Sequence, residues 1–226
     1  MFCFQCEQTM RTESGAGCTT KGVCGKDEAT ADLQDVLIHQ LKGIGQYRTR
    51  LAGLGLADKE ADSFVLYALF TTLTNVNFNR ARFTALIAEA AKMRDRLRDR
   101  YAEACRSAGK APETLTGPAA FEPADTLPGL LAQASAIGVR AGIETVGEDV
   151  IGLRALLLYG LKGVAAYAHH AEVLGQTRSE IADAVAHVLD LLADNPVDLE
   201  QMLQAALTLG HANFTTMQTL DAANTG

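Results

Sequence analysis

The sequence predicts an all-α protein, with an N-terminal cysteine-rich loop followed by two three-helix-bundle-like units. Apolar residues recur at helical spacing from about residue 30 onward, whereas alternating β-branched runs, which would indicate strands, do not occur. The first 27 residues are polar and glycine-rich and hold four of the five cysteines. The expected organisation is a loop over 1–27, a first bundle over 28–107, a Pro/Gly-rich linker over 108–128 and a second bundle over 129–226.

The helices of the first bundle are predicted from apolar spacing and from residues that favour helix starts. Helical spacing begins near Thr30. Asp62 or Ser63 is expected to cap a second helix that runs towards Val76. Asn79 is expected to cap a third helix, whose second half interleaves opposite charges as a solvated helix face does.

The linker is predicted from its proline and glycine residues, which are concentrated enough to break any helix. These residues are Gly109, Pro112, Gly117, Pro118, Pro123 and Pro128. Helical patterns resume near Leu130 and then cover 148–174, 181–192 and about 199–222. The second bundle is therefore expected to contain about three long helices, like the first.

An internal repeat relates the two predicted bundles. The segments Leu41-Lys42-Gly43 and Leu54-Gly55 recur as Leu161-Lys162-Gly163 and Leu174-Gly175, each at an offset of 120 residues. The preserved relative spacing indicates a duplicated helical unit rather than coincidence between leucine-rich helices. The repeated glycines are expected to mark close helix crossings.

Composition and charge favour a globular protein that does not bind nucleic acid. At 226 residues and 48% hydrophobic, the chain is long enough to bury a helical core. Its net charge of −7 disfavours nucleic acid as a partner, because phosphate binding needs a basic face. The N-terminus lacks the pattern of a secretory signal, and no apolar run is expected to reach the length that a membrane span requires. We therefore expect a cytoplasmic protein whose thiols stay reduced or bind metal.

The four N-terminal cysteines form the pattern C-x2-C-x11-C-x5-C, made by Cys3, Cys6, Cys18 and Cys24. A C-x2-C pair directs two thiolates at one metal centre, and a flexible loop that folds back can bring two more thiolates to it. Disulfides fit poorly with a reducing compartment. A zinc site usually shows a second C-x2-C or a histidine pair, which the loop lacks. Single cysteines after one C-x2-C favour an iron–sulfur cluster, with zinc as the remaining alternative.

Other candidate residues have simpler structural interpretations. Neighbouring helical residues point about 100° apart, so His169 and His170 cannot easily share a metal ion with Glu172. We expect them to be a solvated or partly packed pair. Cys105 is expected to be a partly buried or surface thiol. No catalytic residue is assigned.

Several segments of the chain resemble the hybrid-cluster proteins, a family also called prismane proteins or hydroxylamine reductases. The resemblance runs along the whole chain, and its N-terminal motif is highly specific. The segments that carry it are Met1–Thr9, Gly17-Cys18, Cys24–Lys26, Asp32–Asp35, Thr72–Phe78, Tyr159–Gly163 and Leu220–Gly226.

This resemblance implies a function that the spacing alone does not give. Similar proteins reduce hydroxylamine to ammonia and water at a hybrid iron–sulfur–oxygen cluster, and nitric oxide has also been proposed as their substrate. In them an N-terminal cluster, here implied to be held by Cys3, Cys6, Cys18 and Cys24, relays electrons from a redox partner. The hybrid-cluster ligands lie downstream of the region that this chain resembles. The chain alone is therefore expected to be inactive.

The sequence is compatible with two cluster types and with more than one role for the chain. The x11 spacer resembles the [2Fe-2S] subclass of the family and the x5 spacer resembles the [4Fe-4S] subclass, and we favour [4Fe-4S]. The alternatives to an electron-relay region are a stand-alone iron–sulfur electron-transfer or nitric-oxide/redox-responsive module, and a structural zinc module. None of these is expected to involve a membrane.

Overall fold

A computed structural model of the chain describes residues 1–12 and 15–225. Within these residues the regular secondary structure is almost entirely helical, which confirms the all-α prediction. The only strands there, β1 (Arg11–Thr12) and β2 (Gly15–Ala16), form a short antiparallel pair in the N-terminal loop. The helices are α1 (Glu28–Ala52), α2 (Lys59–Thr71), α3 (Arg80–Ser107), a 3-10 helix (Gly117–Ala120), α4 (Leu127–Ala134), α5 (Ile143–Val146), α6 (Glu148–Val173), α7 (Ser179–Ala193) and α8 (Leu199–Thr225).

Side-chain caps define the starts of α1 and α3. The Asp27 carboxylate accepts a hydrogen bond from the backbone N–H of Thr30 at 2.8 Å. The Asn79 side chain accepts one from the N–H of Arg82 at 3.1 Å, so the prediction that Asn79 caps the third helix is confirmed. Both residues satisfy a donor that the first helical turn leaves without an intrahelical partner.

The predicted bounds of α2 were wrong. The helix begins after Asp58, whose carboxylate accepts a hydrogen bond from the N–H of Ala61 at 3.0 Å, and not at Asp62 or Ser63. It ends at Thr71 and does not reach Val76. The sequence-based choice overlooked an earlier aspartate in a capping position.

The packing of the helices crosses between the two sequence units. Helix α1 packs mainly on α3 and α7, whereas α6 packs mainly on α8 and α2. The buried Arg48 of α1 donates to Asp62 of α2 at 2.7 Å and to Asp183 of α7 at 2.8 Å. Most of the buried apolar residues form one connected cluster. The predicted division at the linker stays a prediction, and the core extends across it.

The Leu-Gly pairs of the repeat end the two equivalent helices in the same way. Gly55 and Gly175 have φ angles of 73° and 84°, which is the left-handed conformation that favours glycine. In each case the next residue donates its backbone N–H five residues back into the helix, Leu56 to Leu51 at 3.0 Å and Gln176 to Ala171 at 2.9 Å. These are Schellman endings. The expectation that these two glycines mark helix crossings was wrong.

The Lys-Gly pairs of the repeat differ from each other. A Cβ atom on Gly43 would lie 2.4 Å from the backbone oxygen of Pro118, so α1 and the 3-10 helix approach closely there. A Cβ atom on Gly163 would meet nothing within 4 Å. Only the first copy therefore confirms the expected close approach.

Helix α6 is long and apolar enough to cross a membrane by length and composition alone. It has 26 residues, and its most apolar stretch has a mean hydropathy of 1.4. The expectation that no segment reaches this length was wrong. Half of that stretch is buried inside the molecule, mainly against α2 and α8, as in the core helix of a helical bundle.

Candidate metal centre

The N-terminal loop places Cys3 directly opposite Cys18. The backbone N–H of Cys3 donates to the carbonyl oxygen of Cys18 at 3.1 Å, and the N–H of Cys18 donates to that of Cys3 at 2.8 Å. Residues that exchange both bonds in an antiparallel bridge project their side chains to the same face, with Cβ atoms about 5 Å apart. Two of the four predicted ligands therefore share one face of the loop.

Cys24 lies in a tight turn whose conformation depends on glycine. The N–H of Gly25 donates to the carbonyl oxygen of Gly22 at 2.8 Å, and the N–H of Gly22 donates to that of Lys26 at 2.7 Å. A Cβ atom on Gly22 would lie 2.9 Å from the sulfur of Cys24, so a side chain at position 22 would displace the thiol. Cys6 begins a second turn, in which its carbonyl oxygen accepts from the N–H of Thr9 at 3.1 Å.

Hydrogen-bond donors lie next to two of the sulfurs. The backbone N–H of Met10 is 3.5 Å from the sulfur of Cys18. The ammonium group of Lys26 is 4.0 Å from the sulfur of Cys3. Donors of this kind stabilise negative charge on cluster sulfurs and help to set reduction potentials. All five cysteines lie in the described part of the chain and are free thiols, so the structure contains no disulfide framework.

The side chains of the four cysteines are not arranged as a metal site. Across residues 1–12 and 15–225, no group of three or more Cys, His, Asp or Glu side chains is placed so that it could hold a metal ion. Four thiolates can ligate either a zinc ion or an iron–sulfur cluster. The chemistry of four free thiols with nearby donors fits a cluster, and the ligand set Cys3, Cys6, Cys18 and Cys24 stays a prediction.

A small polar cavity of about 10 Å³ lies between the loop and the helices. Lys26 is 1% exposed, and its ammonium donates to the side-chain oxygen of Gln34 on α1 at 2.7 Å. Two side-chain atoms that help to line the cavity, Oε1 of Gln5 and Nε2 of Gln34, are buried without a hydrogen-bond partner. The wall is completed by Cys3, Asp35 and Lys162, among others. Buried polar groups without partners are uncommon in proteins, so the polar character of this cavity points to a functional location.

Helix α6 contacts the loop between the two cysteines of the C-x2-C pair. The ring of Tyr159 packs edge-on against that of Phe4, with centroids 5.3 Å apart. Burial raises the pKa of the Tyr159 hydroxyl, so this side chain stays neutral. The aromatic pair covers the loop on the side of the helices.

The residues behind the loop carry buried charge. Burial raises the pKa of Asp35, and the positive charge of Lys162 acts in the opposite direction. Burial lowers the pKa of Lys162. No site role was predicted for Asp35, Tyr159 or Lys162 from the sequence. The available signal was that Lys162 occurs both in the internal repeat and in the Tyr159–Gly163 segment of the family resemblance.

A larger cavity of about 450 Å³ lies on the other side of Asp35, lined also by His39, Lys42 and Arg154. Burial lowers the pKa of His39 to about 4 and that of Lys42 to about 8. Asp35 lines both cavities, as do Val139 and Leu158, so these residues lie between the larger cavity and the small one behind Cys3.

The other candidates occupy structural positions. The ring of His169 lies 5.3 Å from that of Tyr67, and its Nδ1 is 3.6 Å from a carboxylate oxygen of Glu172. His170 is exposed, so the two histidines are a partly packed and partly solvated pair as expected. Cys105 is 2% exposed within α3, so it is a core residue and not a surface thiol.

The structure is an all-helical domain that carries a bridged, cysteine-rich N-terminal loop, and comparison with known proteins identifies its family. The sequence model of the Prismane/CO dehydrogenase family matches residues 1–226. The chain therefore belongs to this family, and the resemblance noted from its motifs is confirmed.

Similar proteins named hydroxylamine reductase occur in several bacteria. The one from Acidiphilium cryptum (strain JF-5) is 76% identical over 228 residues. Those from Acidithiobacillus ferrooxidans (strain ATCC 53993 / BNL-5-31) and Rhodospirillum rubrum (strain ATCC 11170) are 55% and 48% identical. Each match covers 100% of this chain and 41% of the relative. The chain thus spans about two fifths of the length of these relatives and corresponds to their N-terminal region.

Proposed function

We propose that this chain is the N-terminal iron–sulfur electron-relay region of a hydroxylamine reductase. The observation that carries the proposal is the backbone bridge that sets Cys3 opposite Cys18, in a loop whose four cysteines are all free thiols. Its ligands would be Cys3, Cys6, Cys18 and Cys24. The names of the relatives support the enzyme class.

The reaction of the full-length protein would be NH2OH + 2 e− + 2 H+ → NH3 + H2O. The N–O bond breaks, nitrogen is reduced, and the oxygen leaves as water. A hybrid iron–sulfur–oxygen cluster in the region that the relatives have beyond this match would be the active site. We assign no catalytic residue to this chain, and the greater length of the relatives favours a relay role over a stand-alone module.

The residues of this chain have three roles in the proposal. The four thiolates hold the cluster, which when bound supplies one-electron transfer chemistry. The N–H of Met10 and the ammonium of Lys26 donate towards the sulfurs of Cys18 and Cys3. The packed rings of Phe4 and Tyr159 exclude water from one side of the loop. The electron donor would be a cytoplasmic redox partner, with neither nucleic acid nor a membrane involved.

Metal content separates the possible cofactors. We favour [4Fe-4S] over [2Fe-2S] because of the x5 spacer. About four irons and four acid-labile sulfides per chain after anaerobic purification or reconstitution are expected, and about two of each would indicate the smaller cluster. Brown colour and visible absorption should accompany the iron. A colourless protein holding about one zinc ion per chain would contradict the proposal.

Two cysteine variants test the ligand assignment. Cys6→Ser should lose most of the iron and visible absorption while it keeps its helical circular dichroism. Cys105→Ser is the matched control because Cys105 is buried in α3, and it should keep the iron content of the wild type. Equal iron loss in both variants would contradict the ligand assignment.

The relay role is tested by activity of the reduced chain. Supplied with a reduced dye, the chain alone should not consume hydroxylamine. A cluster-loaded chain that reduces hydroxylamine at the rate of a full-length relative would contradict the relay assignment.

A further inference from the structure

We propose that the buried Lys162 of α6 raises the reduction potential of the cluster held by the N-terminal loop, with Asp35 of α1 opposing it. Lys162 lies 138 positions after Cys24 in the sequence, outside the cysteine motif. The inference rests on the proposed function, since it concerns the cluster that the four cysteines would bind. It gives Lys162 and Asp35 an effect on the cluster, although neither residue is a cluster ligand.

The position of Lys162 supports this role. Its side chain is almost fully buried, at 1% exposure, and lines the small cavity together with Cys3. The ammonium donates to the backbone carbonyl oxygen of Thr72 at 3.1 Å and lies 5.8 Å from the centroid of the Tyr159 ring. These contacts hold the positive charge in a fixed place behind the loop.

More positive than negative groups surround Asp35. Burial raises the pKa of this carboxyl most and the charge of Asp32 acts in the same direction, whereas the ammonium groups of Lys162, Lys26 and Lys42 oppose them. Burying an ammonium without a full counter-charge is unfavourable. Burial and the charge of Lys26 lower the pKa of Lys162, whereas negative charge on Asp35 and on Cys3 favours its protonated form. A cluster bound by four thiolates is anionic and would supply the missing counter-charge next to Cys3.

A fixed positive charge at this place affects the two redox states differently. Reduction adds one electron, so the reduced cluster is more negative than the oxidised one. An adjacent buried cation therefore stabilises the reduced state more, and solvent screens this interaction only weakly. The charge of Lys162 raises the midpoint potential, and the charge of Asp35 lowers it.

Redox titration of the full chain, loaded with iron and sulfide near neutral pH, tests the proposal. Lys162→Gln removes the charge and should shift the midpoint potential to a more negative value. Lys162→Arg keeps the charge and should stay near the wild type. Lys42→Gln is the matched control, because Lys42 is the repeat equivalent of Lys162 and also acts on Asp35, yet it faces the larger cavity. Its shift should be the smaller one.

Asp35→Asn gives a second test that does not depend on the Lys162→Gln variant folding. Removing the negative charge should shift the potential in the positive direction. The proposal is overturned if Lys162→Gln keeps its iron and its midpoint potential, or shifts no more than Lys42→Gln. It is also overturned if Asp35→Asn shifts the potential in the negative direction. Iron and sulfide are assayed on every sample, so a wild type without iron would identify failure of the proposed function itself.

Discussion

The two copies of the internal repeat share local structure and differ in their surroundings. Both α1 and α6 end in the same Schellman motif, at Gly55 and Gly175. The lysines in the middle of these helices have different neighbours. Lys42 lines the 450 Å³ cavity, whereas Lys162 lines the small cavity behind Cys3. A repeat thus specifies helix ends through local backbone geometry, while the role of a repeated side chain depends on what packs against it.

The strongest expected contrast lies at the repeated Lys-Gly pairs. Gly43→Ala should destabilise the protein by about 2 kcal/mol, because the new methyl group would press on the backbone oxygen of Pro118. Gly163→Ala has open space and lies within a helix, so it should stabilise the protein by up to about 1 kcal/mol. Denaturant unfolding of both variants measures the difference. Similar changes in both would mean that the two copies are equivalent in packing.

The next contrast concerns the start of the second helix in each copy. The Asp58 carboxylate, 4% exposed, receives hydrogen bonds from Arg96 and Arg100 in addition to capping α2. Burial would raise its pKa, but these hydrogen bonds outweigh burial and hold the pKa at about 2. Asp58→Asn should therefore lower the free energy of unfolding at neutral pH by about 1 to 2 kcal/mol, after allowance for solvent around the arginines.

The same carboxylate gives a pH dependence with a defined sign. Its pKa is lower in the folded protein than the ordinary value of 3.8, so its contribution is fully present above that value. The contribution should be lost as the pH falls from about 4 to about 2. Comparing acid unfolding of the wild type with that of Asp58→Asn isolates it. A constant difference between the two proteins across this range would contradict the assignment.

The smallest expected effect comes from the equivalent position in the second copy. Arg178 occupies the N-cap of α7 in an extended conformation and makes no side-chain capping hydrogen bond. Arg178→Asp should raise the free energy of unfolding by about 1 kcal/mol, because it introduces the cap that Asp58 provides in the first copy. Arg178→Ala controls for loss of the exposed ion pair with Glu180. Equal midpoint temperatures of thermal unfolding for Arg178→Asp and Arg178→Ala would rule out a capping effect.

The sequence predicted the helices well because their signals are local. Apolar spacing located α1 and α6, and Asn79 was identified as a cap from its position before a periodic segment. The α2 start was missed since two nearby acidic or hydroxyl residues fit the same rule as Asp58. The packing of α2 on α6 and of α7 on α1, each on a helix of the other unit, was not predictable. Helices with similar apolar faces can pack on either partner.

In the candidate site, too, the local features were predicted from the sequence and the long-range contacts were not. The cysteine spacing within one short loop named the four expected ligands, and the structure adds the bridge between Cys3 and Cys18. The contribution of the helices depends on residues distant in sequence. Asp35 and Lys162 come together behind the loop only through tertiary packing, so the sequence of the loop does not predict their position. Buried charge near a metal site is thus found from structure more readily than from spacing.

Because α2 and α7 each pack mainly on a helix of the other unit, the two units should not fold as separate fragments. A chain cut between residues 108 and 128 would give two pieces, each with a helix whose main partner is on the other piece. Neither piece should fold cooperatively when expressed alone, because each would expose apolar surface that the other covers. Mixed together, the pieces should recover the helical content and the unfolding transition of the intact chain. Each copy would then supply the surface against which the other folds.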